Sequence, residues 1–342
     1  MMLSKELSLK SNQLLPLIKP ISKDLLFSKN DTLDPRLGDI FKTVSDWIAL
    51  KSNSFTLIGY QDDRGIKNNG GRLGAAVAPQ GIRNYFYRLT YPYAPQDSES
   101  YFQDLGNFSQ ESLPDLLSTQ ENLKELIQYL HDKKSFVASL GGGHDYGYPD
   151  AWGFITSELL KHPHQKPLIL NFDAHLDVRD DSSNINSGTP FYKILKEFHG
   201  KIDFYEIGIQ THCNSVYHAH FVENHKGKII SLNDIRKHSL NYHLSEIFKH
   251  HQDQSVFVSL DIDVMSAAEA PGCSQSWPSG LSFQELNSGF DILSQFRFWK
   301  HLGIYEVSPP LDVNGNTQRA AALFLNRYLH YYLEHAGIKG HN

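Results

Sequence analysis

Asn171-Phe-Asp-Ala-His-Leu-Asp177 follows the apolar run Pro167-Leu-Ile-Leu170. The apolar run predicts a short buried strand, so the polar residues come at its carboxyl end, where open α/β sheets bind ligands. If the stretch stays extended, Asp173, His175 and Asp177 project from the same side. Carboxylates together with an imidazole suit Mn²⁺, Fe²⁺ or Zn²⁺, and the alternative is a polar loop without a metal.

Three further apolar runs predict buried strands, and each ends in residues of the same chemical kind. In chain order, the runs and the residues that follow them are 135–140 with His144, 255–260 with Asp261 and Asp263, and 301–305 with Glu306. Because the carboxyl ends of parallel strands meet at one edge of a sheet, we expect these groups to converge. Together with the first stretch they supply five carboxylates and two imidazoles, and like charges at such density repel one another. Two divalent ions, about 3.5 to 4 Å apart, would remove that repulsion.

The apolar runs alternate along the chain with segments of helical periodicity. This alternation predicts a single α/β domain with a mostly parallel sheet and helices on both faces. We assign residues 36–342 to this domain and residues 1–35 to an irregular amino-terminal arm. The first helix is expected over Arg36–Lys51, where apolar residues recur at helical spacing.

Composition excludes several classes of protein. The chain has 342 residues and a net charge of −6, which gives no electrostatic footprint for nucleic acid. No apolar run approaches the roughly 20 residues that span a bilayer. Only Cys213 and Cys273 are present, too few for a disulfide framework, and Met1–Lys19 lacks the apolar core of a secretory signal. We therefore expect a cytoplasmic protein that binds a small-molecule substrate rather than nucleic acid or membrane. We also expect a homo-oligomer.

Three motifs carry a resemblance to a known family. Gly141-Gly-Gly-His-Asp145, Asp173-Ala-His-Leu-Asp177 and Ser259-Leu-Asp-Ile-Asp263 resemble, in order and spacing, the motifs of the ureohydrolase superfamily, which includes arginases and agmatinases. The resemblance implies the arginase-like three-layer α/β/α fold and two Mn²⁺ per chain. It implies that one ion is held by His144, Asp173, Asp177 and Asp261, and the other by His175, Asp173, Asp261 and Asp263. Asp173 and Asp261 would then bridge the two ions.

Other stretches are most similar to one branch of the superfamily, the formimidoylglutamases. These stretches are 69–75, 177–179, 187–191, 270–272 and 306–307. The branch hydrolyses the formimidoyl C–N bond of N-formimidoyl-L-glutamate, an intermediate of histidine degradation, to L-glutamate and formamide. Arginases and agmatinases usually have a histidine at the position of Ser187, and they usually lack an arginine at that of Arg179.

The resemblance also implies roles for residues around the metals. Asp177 would take the proton of the attacking water and pass it to the departing amine, and Glu306 would pair with the cationic amidine. Arg179 would bind a substrate carboxylate through its planar guanidinium. The other expected substrate-binding residues are Ser187, Asn69 and Arg72.

Alternative functions stay open at this point. Another amidino or guanidino hydrolase, acting on arginine, agmatine or a guanidino acid and releasing urea, shares the metal motifs. A deacetylase of related fold would hold one zinc ion, although His144 and His175 with four aspartates favour two metals. A binding protein that has lost catalysis is a third alternative. Arg179, finally, could pair with Asp180 or Asp181 on its own loop instead of with a substrate.

Overall fold

A single mostly parallel sheet runs through the protein. The computed structural model describes residues 17–44, 50–92, 101–109, 111–182 and 184–336. Its strands are β1 (Ile18–Lys19), β2 (Lys42–Thr43), β3 (Phe55–Gln61), β4 (Phe102–Ser109), β5 (Phe136–Leu140), β6 (Leu168–Phe172), β7 (Asp203–Ile209), β8 (Lys228–Ser231), β9 (Ser255–Asp261) and β10 (Phe298–Tyr305). They pair in the order β1-β4-β3-β5-β10-β9-β6-β7-β8, and β2 also pairs with β4. Every described pairing is parallel except that of β1 with β4.

Helices connect the parallel strands, as crossover geometry requires. They are α1 (Leu37–Ile40), α2 (Arg64–Asn68), α3 (Ala78–Phe86), α4 (Leu116–Asp132), α5 (Gly147–Lys161), α6 (Pro190–Glu197), α7 (Val216–Asn224), α8 (Leu232–His238), α9 (Leu240–His251), α10 (Phe283–Leu293) and α11 (Asn316–His335). Among the residues that the structure describes, no helix is long and apolar enough to cross a membrane.

The helices cover both faces of the sheet. On one face α3, α9, α10 and α11 pack against strand residues such as Leu170 and Val258. On the other face α4, α5 and α6 pack against Val137, Ile169 and Phe257. Consecutive strand residues thus bury into opposite layers, which is why the strands read as continuous apolar runs rather than as an alternating pattern. The predicted α/β class and three-layer arrangement are confirmed.

The predicted helix over Arg36–Lys51 is wrong for most of its described part. Helix α1 ends at Ile40, and Lys42–Thr43 form β2 beside β4. Phe41 is buried against the rings of Phe55, Phe86, Tyr87 and Phe102, and this contact favours an extended chain after Ile40 over another helical turn. Residues 45–49 lie outside the described residues.

Besides β2, two further strands at this side of the sheet were not expected. Strand β4 contains Gln103, Asp104 and Asn107, so its sequence reads as polar although these side chains are buried. Burial of Asp104 and Asn107 is possible because Arg83 on α3 donates to both. Strand β1 lies within the predicted amino-terminal arm and pairs with β4 at the sheet edge.

Candidate metal centre

The carboxyl ends of β5, β6 and β9 bring four predicted ligands together, one imidazole and three carboxylates. His144 follows β5, Asp173 and Asp177 follow β6, and Asp261 is the last residue of β9. Nδ1 of His144 lies 3.0 Å from Oδ2 of Asp173, 2.9 Å from Oδ2 of Asp177 and 3.2 Å from Oδ2 of Asp261. His144 is completely buried, and its Nδ1 faces these three carboxylates.

A second cluster adjoins the first and shares Asp173 with it. Nδ1 of His175 lies 3.0 Å from Oδ2 of Asp263 and 3.5 Å from Oδ1 of Asp173. His175, Asp173 and Asp263 are thus close enough to hold one ion together. The geometry makes Asp173 the residue common to both clusters, whereas Asp261 belongs to the first one alone.

The donor atoms fit divalent cations. Nδ1 of His144 is buried and makes no hydrogen bond, although three carboxylate oxygens surround it. The carboxylates are oriented by the backbone: Oδ1 of Asp173 accepts from the His175 N–H at 2.7 Å, and Oδ1 of Asp261 accepts from the Asp263 N–H at 2.9 Å. Their Oδ2 atoms are therefore turned toward the cluster. Carboxylate oxygens with imidazole nitrogen suit Mn²⁺ and its neighbours.

The path of the chain through Asp173–Asp177 differs from the prediction. Strand β6 ends at Phe172, and the following residues form a bent loop instead of an extended stretch. Asp177 adopts a φ of 45°, in the left-handed region that non-glycine residues rarely occupy. The acids still converge, but they do so because the loop turns and not because side chains alternate.

Asn214 supports this loop from the next βα connection. Its Oδ1 accepts from the Leu176 N–H at 2.8 Å, and its Nδ2 donates to the carbonyl of Ala174 at 2.8 Å. Backbone groups on both sides of His175 are therefore held by one amide side chain. This role of Asn214 was not predicted from the sequence, since an asparagine in a polar loop has no signal of its own.

Glycines and a serine position His144. Gly141 and Gly142 both have a φ of 77°, so the chain leaves β5 through a turn that a residue with a Cβ would strain. The ring of His144 is then fixed by a hydrogen bond between its Nε2 and Oγ of Ser259 at 2.8 Å, and by stacking on Tyr305 with ring centroids 5.0 Å apart. These contacts aim Nδ1 at the carboxylates.

Electrostatics within the cluster show why it needs a cation. Burial and the charge of Asp173 raise the pKa of Asp177, and burial raises the pKa of Asp263 to about 6. Burial works against ionisation of Asp173 as well, but contacts with His144 and His175 lower its pKa below the usual range. Asp177 and Asp263 therefore resist ionisation unless further positive charge is supplied.

A cavity of about 260 Å³ opens onto the two clusters. Glu306 lines it, with a left-handed φ of 61°, and its Oε1 accepts from the His144 N–H at 3.1 Å. Asn69 and Ser187 line the same cavity, and Nδ2 of Asn69 donates to Oγ of Ser187 at 3.1 Å. The structure therefore places these three predicted residues beside the candidate metal ligands.

Arg72 lies behind the wall of the cavity and is not among the residues that line it. Its Nε donates to the carbonyl of Ser274 at 2.9 Å, and its Nη2 donates to that of Cys273 at 3.1 Å. Ser274 itself lines the cavity. Arg72 thus holds the loop that forms one wall, which its position in a glycine-rich stretch could not reveal.

Arg179 lines the cavity, and its side chain runs across Gly188. A Cβ at Gly188 would come within 2.8 Å of Cδ of Arg179, so glycine is needed for this close approach. The alternative pairing of Arg179 with its own loop is not formed: Asp180 accepts from the hydroxyl of Tyr192, and Asp181 pairs with Lys193. Within the described part of the chain, the guanidinium of Arg179 has no acidic partner.

One further cavity residue, His218 on α7, was missed by sequence reasoning. Gln275 and Trp277 in the loop after β9 and Cys213 in the loop after β7 also lie in the wall. Helix α7 was not predicted, because its nine residues show almost no amphipathic pattern. Trp277 packs edge-on against His212, with ring centroids 4.7 Å apart.

Fold and site together define a three-layer α/β/α protein with a candidate binuclear metal centre at the carboxyl edge of its sheet. The model of the arginase family matches residues 53–330. The chain therefore belongs to the arginase family.

Individual relatives are similar over most of their length. The formimidoylglutamase of Streptococcus gordonii is 30% identical over 291 residues, which cover 80% of this chain and 82% of that protein. A crystal structure of Trypanosoma cruzi formiminoglutamase with Mn²⁺ is 26% identical, with a TM-score of 0.73, and covers 90% of this chain and 100% of that one. Bacillus subtilis formimidoylglutamase, at 24% identity, has a TM-score of 0.74 over 92% of this chain and 95% of that one, and supports the fold alone.

Proposed function

We propose that this chain is a manganese hydrolase that converts N-formimidoyl-L-glutamate and water to L-glutamate and formamide. The observation that carries the proposal is the pair of adjoining clusters around Nδ1 of His144 and Nδ1 of His175, which share Asp173. The formimidoylglutamase relatives and the Mn²⁺ in the Trypanosoma cruzi structure support the choice of reaction and metal. We further propose that the enzyme acts in histidine degradation, in the cytoplasm and as a homo-oligomer.

The metal ligands that we propose follow the two clusters. One Mn²⁺ would be held by His144, Asp173, Asp177 and Asp261, and the other by His175, Asp173 and Asp263. Asp173 would bridge the ions, and bridging by Asp261 as well remains the expectation from the family resemblance. When bound, the metal pair supplies a nucleophilic water of lowered pKa, so no protein nucleophile is required.

The remaining chemistry belongs to side chains of the cavity. Asp177 takes the proton of the attacking water and delivers it to the glutamate nitrogen as the bond between that nitrogen and the formimidoyl carbon breaks. Glu306 uses Oε1 to accept from the His144 N–H, which leaves Oε2 for the cationic amidine. Arg179, which has no acidic partner among the described residues, binds a substrate carboxylate through paired N–H donors.

Three other residues shape the pocket. Ser187, held by Asn69, occupies the place where arginases and agmatinases usually have a histidine, so the pocket lacks a proton shuttle at that point. Arg72 acts through the loop at Cys273 and Ser274 instead of through the ligand.

A substrate panel tests the proposal. The protein, loaded with Mn²⁺ and freed of excess metal, is incubated with N-formimidoyl-L-glutamate, L-arginine, agmatine and guanidino acids while formamide, ammonia and urea are measured. We expect formamide from the first compound, with little or no urea from the others, and no product from protein treated with chelator. Faster release of urea than of formamide would assign the chain to a guanidino hydrolase instead.

A further inference from the structure

His218 occupies a defined position on the wall of the cavity. It lies in the first turn of α7, where Oγ of Ser215 caps the helix and accepts from the His218 N–H at 3.2 Å. The imidazole is half-buried and lines the same cavity as Arg179 and the candidate metal ligands. In the part of the chain that the structure describes, its ring nitrogens have no hydrogen-bond partner.

Arg179 and His218 reach this cavity from neighbouring parts of the sheet edge. Arg179 comes from the loop after β6 and His218 from the helix after β7, and β6 and β7 are paired strands. Burial lowers the pKa of His218, and the positive charge of Arg179 lowers it further, while Asp177 opposes the shift. The two basic groups are therefore close enough to interact electrostatically. An imidazole that is neutral still offers one N–H donor.

The floor of the cavity explains why two such groups are needed. Asp173, Asp177, Asp261, Asp263 and Glu306 bring five negative charges to the site, against four positive charges from two divalent ions. An anionic ligand consequently gains little from the floor as a whole and depends on donors in the wall. Outside the metal clusters, Arg179 and His218 are the basic side chains among the described residues of that wall.

We infer that His218 and Arg179 form a subsite for dicarboxylates, in which each residue binds one of the two carboxylates of the ligand. This inference rests on the proposed function for the identity of the natural ligand, an amidine that carries two carboxylates. It makes His218 a specificity-determining residue. A substrate with one carboxylate or none leaves His218 without a ligand carboxylate to bind.

Binding of two simple acids tests the subsite without relying on turnover. Glutarate has the carbon skeleton and both carboxylates of glutamate, and butyrate lacks one of the carboxylates. Calorimetry on the Mn²⁺-loaded protein should show that glutarate binds about tenfold more tightly than butyrate, as expected for one additional charge-assisted hydrogen bond. His218→Ala should remove that advantage and leave butyrate binding unchanged, whereas Arg179→Ala should weaken both acids.

Two further variants make the result specific. His220→Ala changes an exposed histidine of the same helix that does not line the cavity, and it should bind both acids like the natural chain. His218→Gln keeps a donor and should restore part of the preference for glutarate. In the substrate assay, His218→Ala should raise KM for N-formimidoyl-L-glutamate about tenfold with kcat nearly unchanged.

The outcomes separate the subsite from the reaction. The inference is overturned if the natural chain binds glutarate and butyrate equally tightly, or if His218→Ala loses the same affinity for both acids. Either result counts even if formamide is produced. A preference for glutarate that depends on His218 supports the subsite even if the substrate panel assigns a different amidine or guanidine.

Discussion

At the scale of a single residue, Ser259 positions the metal-binding histidine His144. Its Oγ contacts Nε2 of His144 at 2.8 Å and so holds Nδ1 toward the carboxylates. Hydrogen bonds of this kind to metal-binding histidines typically contribute about 10- to 100-fold to metal affinity. We therefore expect Ser259→Ala to weaken Mn²⁺ binding by about that factor, measured by competition with a metal-sensitive chelating dye.

Ser54→Ala provides the matched control for this prediction. Ser54 is also completely buried, but its Oγ contacts Thr56 and Ser135 at the opposite end of the sheet. Metal affinity in this variant should equal that of the natural chain. The positioning role is refuted if the two variants bind Mn²⁺ equally well.

Asp173→Asn separates chemistry from folding. Asp173 is common to both clusters, so removing its charge should release both ions and reduce turnover to background. The fold should survive, because the substitution preserves the shape of the side chain and relieves repulsion among the neighbouring acids. Circular dichroism should stay close to that of the natural chain. Global unfolding of the variant would mean that the acid is structural.

At the scale of an element, Arg83 and Asp104 join α3 to β4. Arg83 donates to Asp104 through Nε at 2.7 Å and Nη2 at 2.8 Å, and both side chains are fully buried. Arg83→Ala leaves a buried carboxylate without its cation, so we expect the free energy of unfolding to fall by about 3–5 kcal/mol in urea titrations. Arg236→Ala breaks a partly exposed pair with Glu285 and should cost less than about 1 kcal/mol. Similar losses in both variants would contradict this account.

His301 on β10 predicts a pH dependence of stability. Burial lowers the pKa of His301 to about 3, whereas an unfolded histidine titrates near 6.5. Above pH 6.5 the ring is neutral in both states and has no effect. As the pH falls from 6.5 toward 3, only the unfolded chain binds the proton, so the free energy of unfolding falls by up to about 1.4 kcal/mol per pH unit.

Asp150, a neighbouring acid, changes the free energy of unfolding with pH in the opposite direction. The prediction therefore concerns the difference in this free energy between the natural chain and His301→Gln. Burial raises the pKa of Asp150 to about 7, and its Oδ2 lies 3.8 Å from Nε2 of His301. The folded chain holds that proton between about pH 3.9 and 7, so this contribution declines as the pH rises. Asp150 is present in both proteins when the natural chain is compared with His301→Gln. Urea titrations at pH 7, 6 and 5 should show the advantage of the natural chain shrinking, and a constant difference would be incompatible with a neutral His301.

The elements show where sequence reasoning succeeds and where it stops. Strands β5, β6, β9 and β10 were predictable because both of their faces are buried, which leaves continuous apolar runs with polar residues just after them. Strand β4 was not predictable, because Asp104 and Asn107 can be buried only when Arg83 on α3 donates hydrogen bonds to them. Contacts between distant parts of the chain also determine the end of α1 at Ile40 and the position of the Arg72 side chain. No local pattern records such contacts.

At the scale of the whole molecule, the candidate metal ligands were predictable because the same pattern, an apolar strand followed by an acid or a histidine, recurs along the chain. Asn214, Ser259 and His218 were not readable, since each acts through a single contact that depends on the assembled sheet edge. The sequence therefore predicted the fold class and the convergence of His144 with the aspartates. The conformation of the loops and the residues that support them required the structure.

Metal binding should stabilise the whole fold. A ligand that binds only the folded state at 100 times its dissociation constant adds about 2.7 kcal/mol to the free energy of unfolding. We expect Mn²⁺ to raise the thermal midpoint of the natural chain and a chelator to lower it. The difference should vanish in Asp173→Asn. Identical midpoints with Mn²⁺ and with chelator in the natural chain would contradict this expectation.

The most direct test of the account is the number of metal ions per chain. The protein is loaded with Mn²⁺, separated from free metal by gel filtration and measured by elemental analysis. We predict a value approaching two for the natural chain and one for either His144→Ala or His175→Ala, because each imidazole serves a separate cluster. A value of one or less for the natural chain would contradict the binuclear centre from which the proposed function follows.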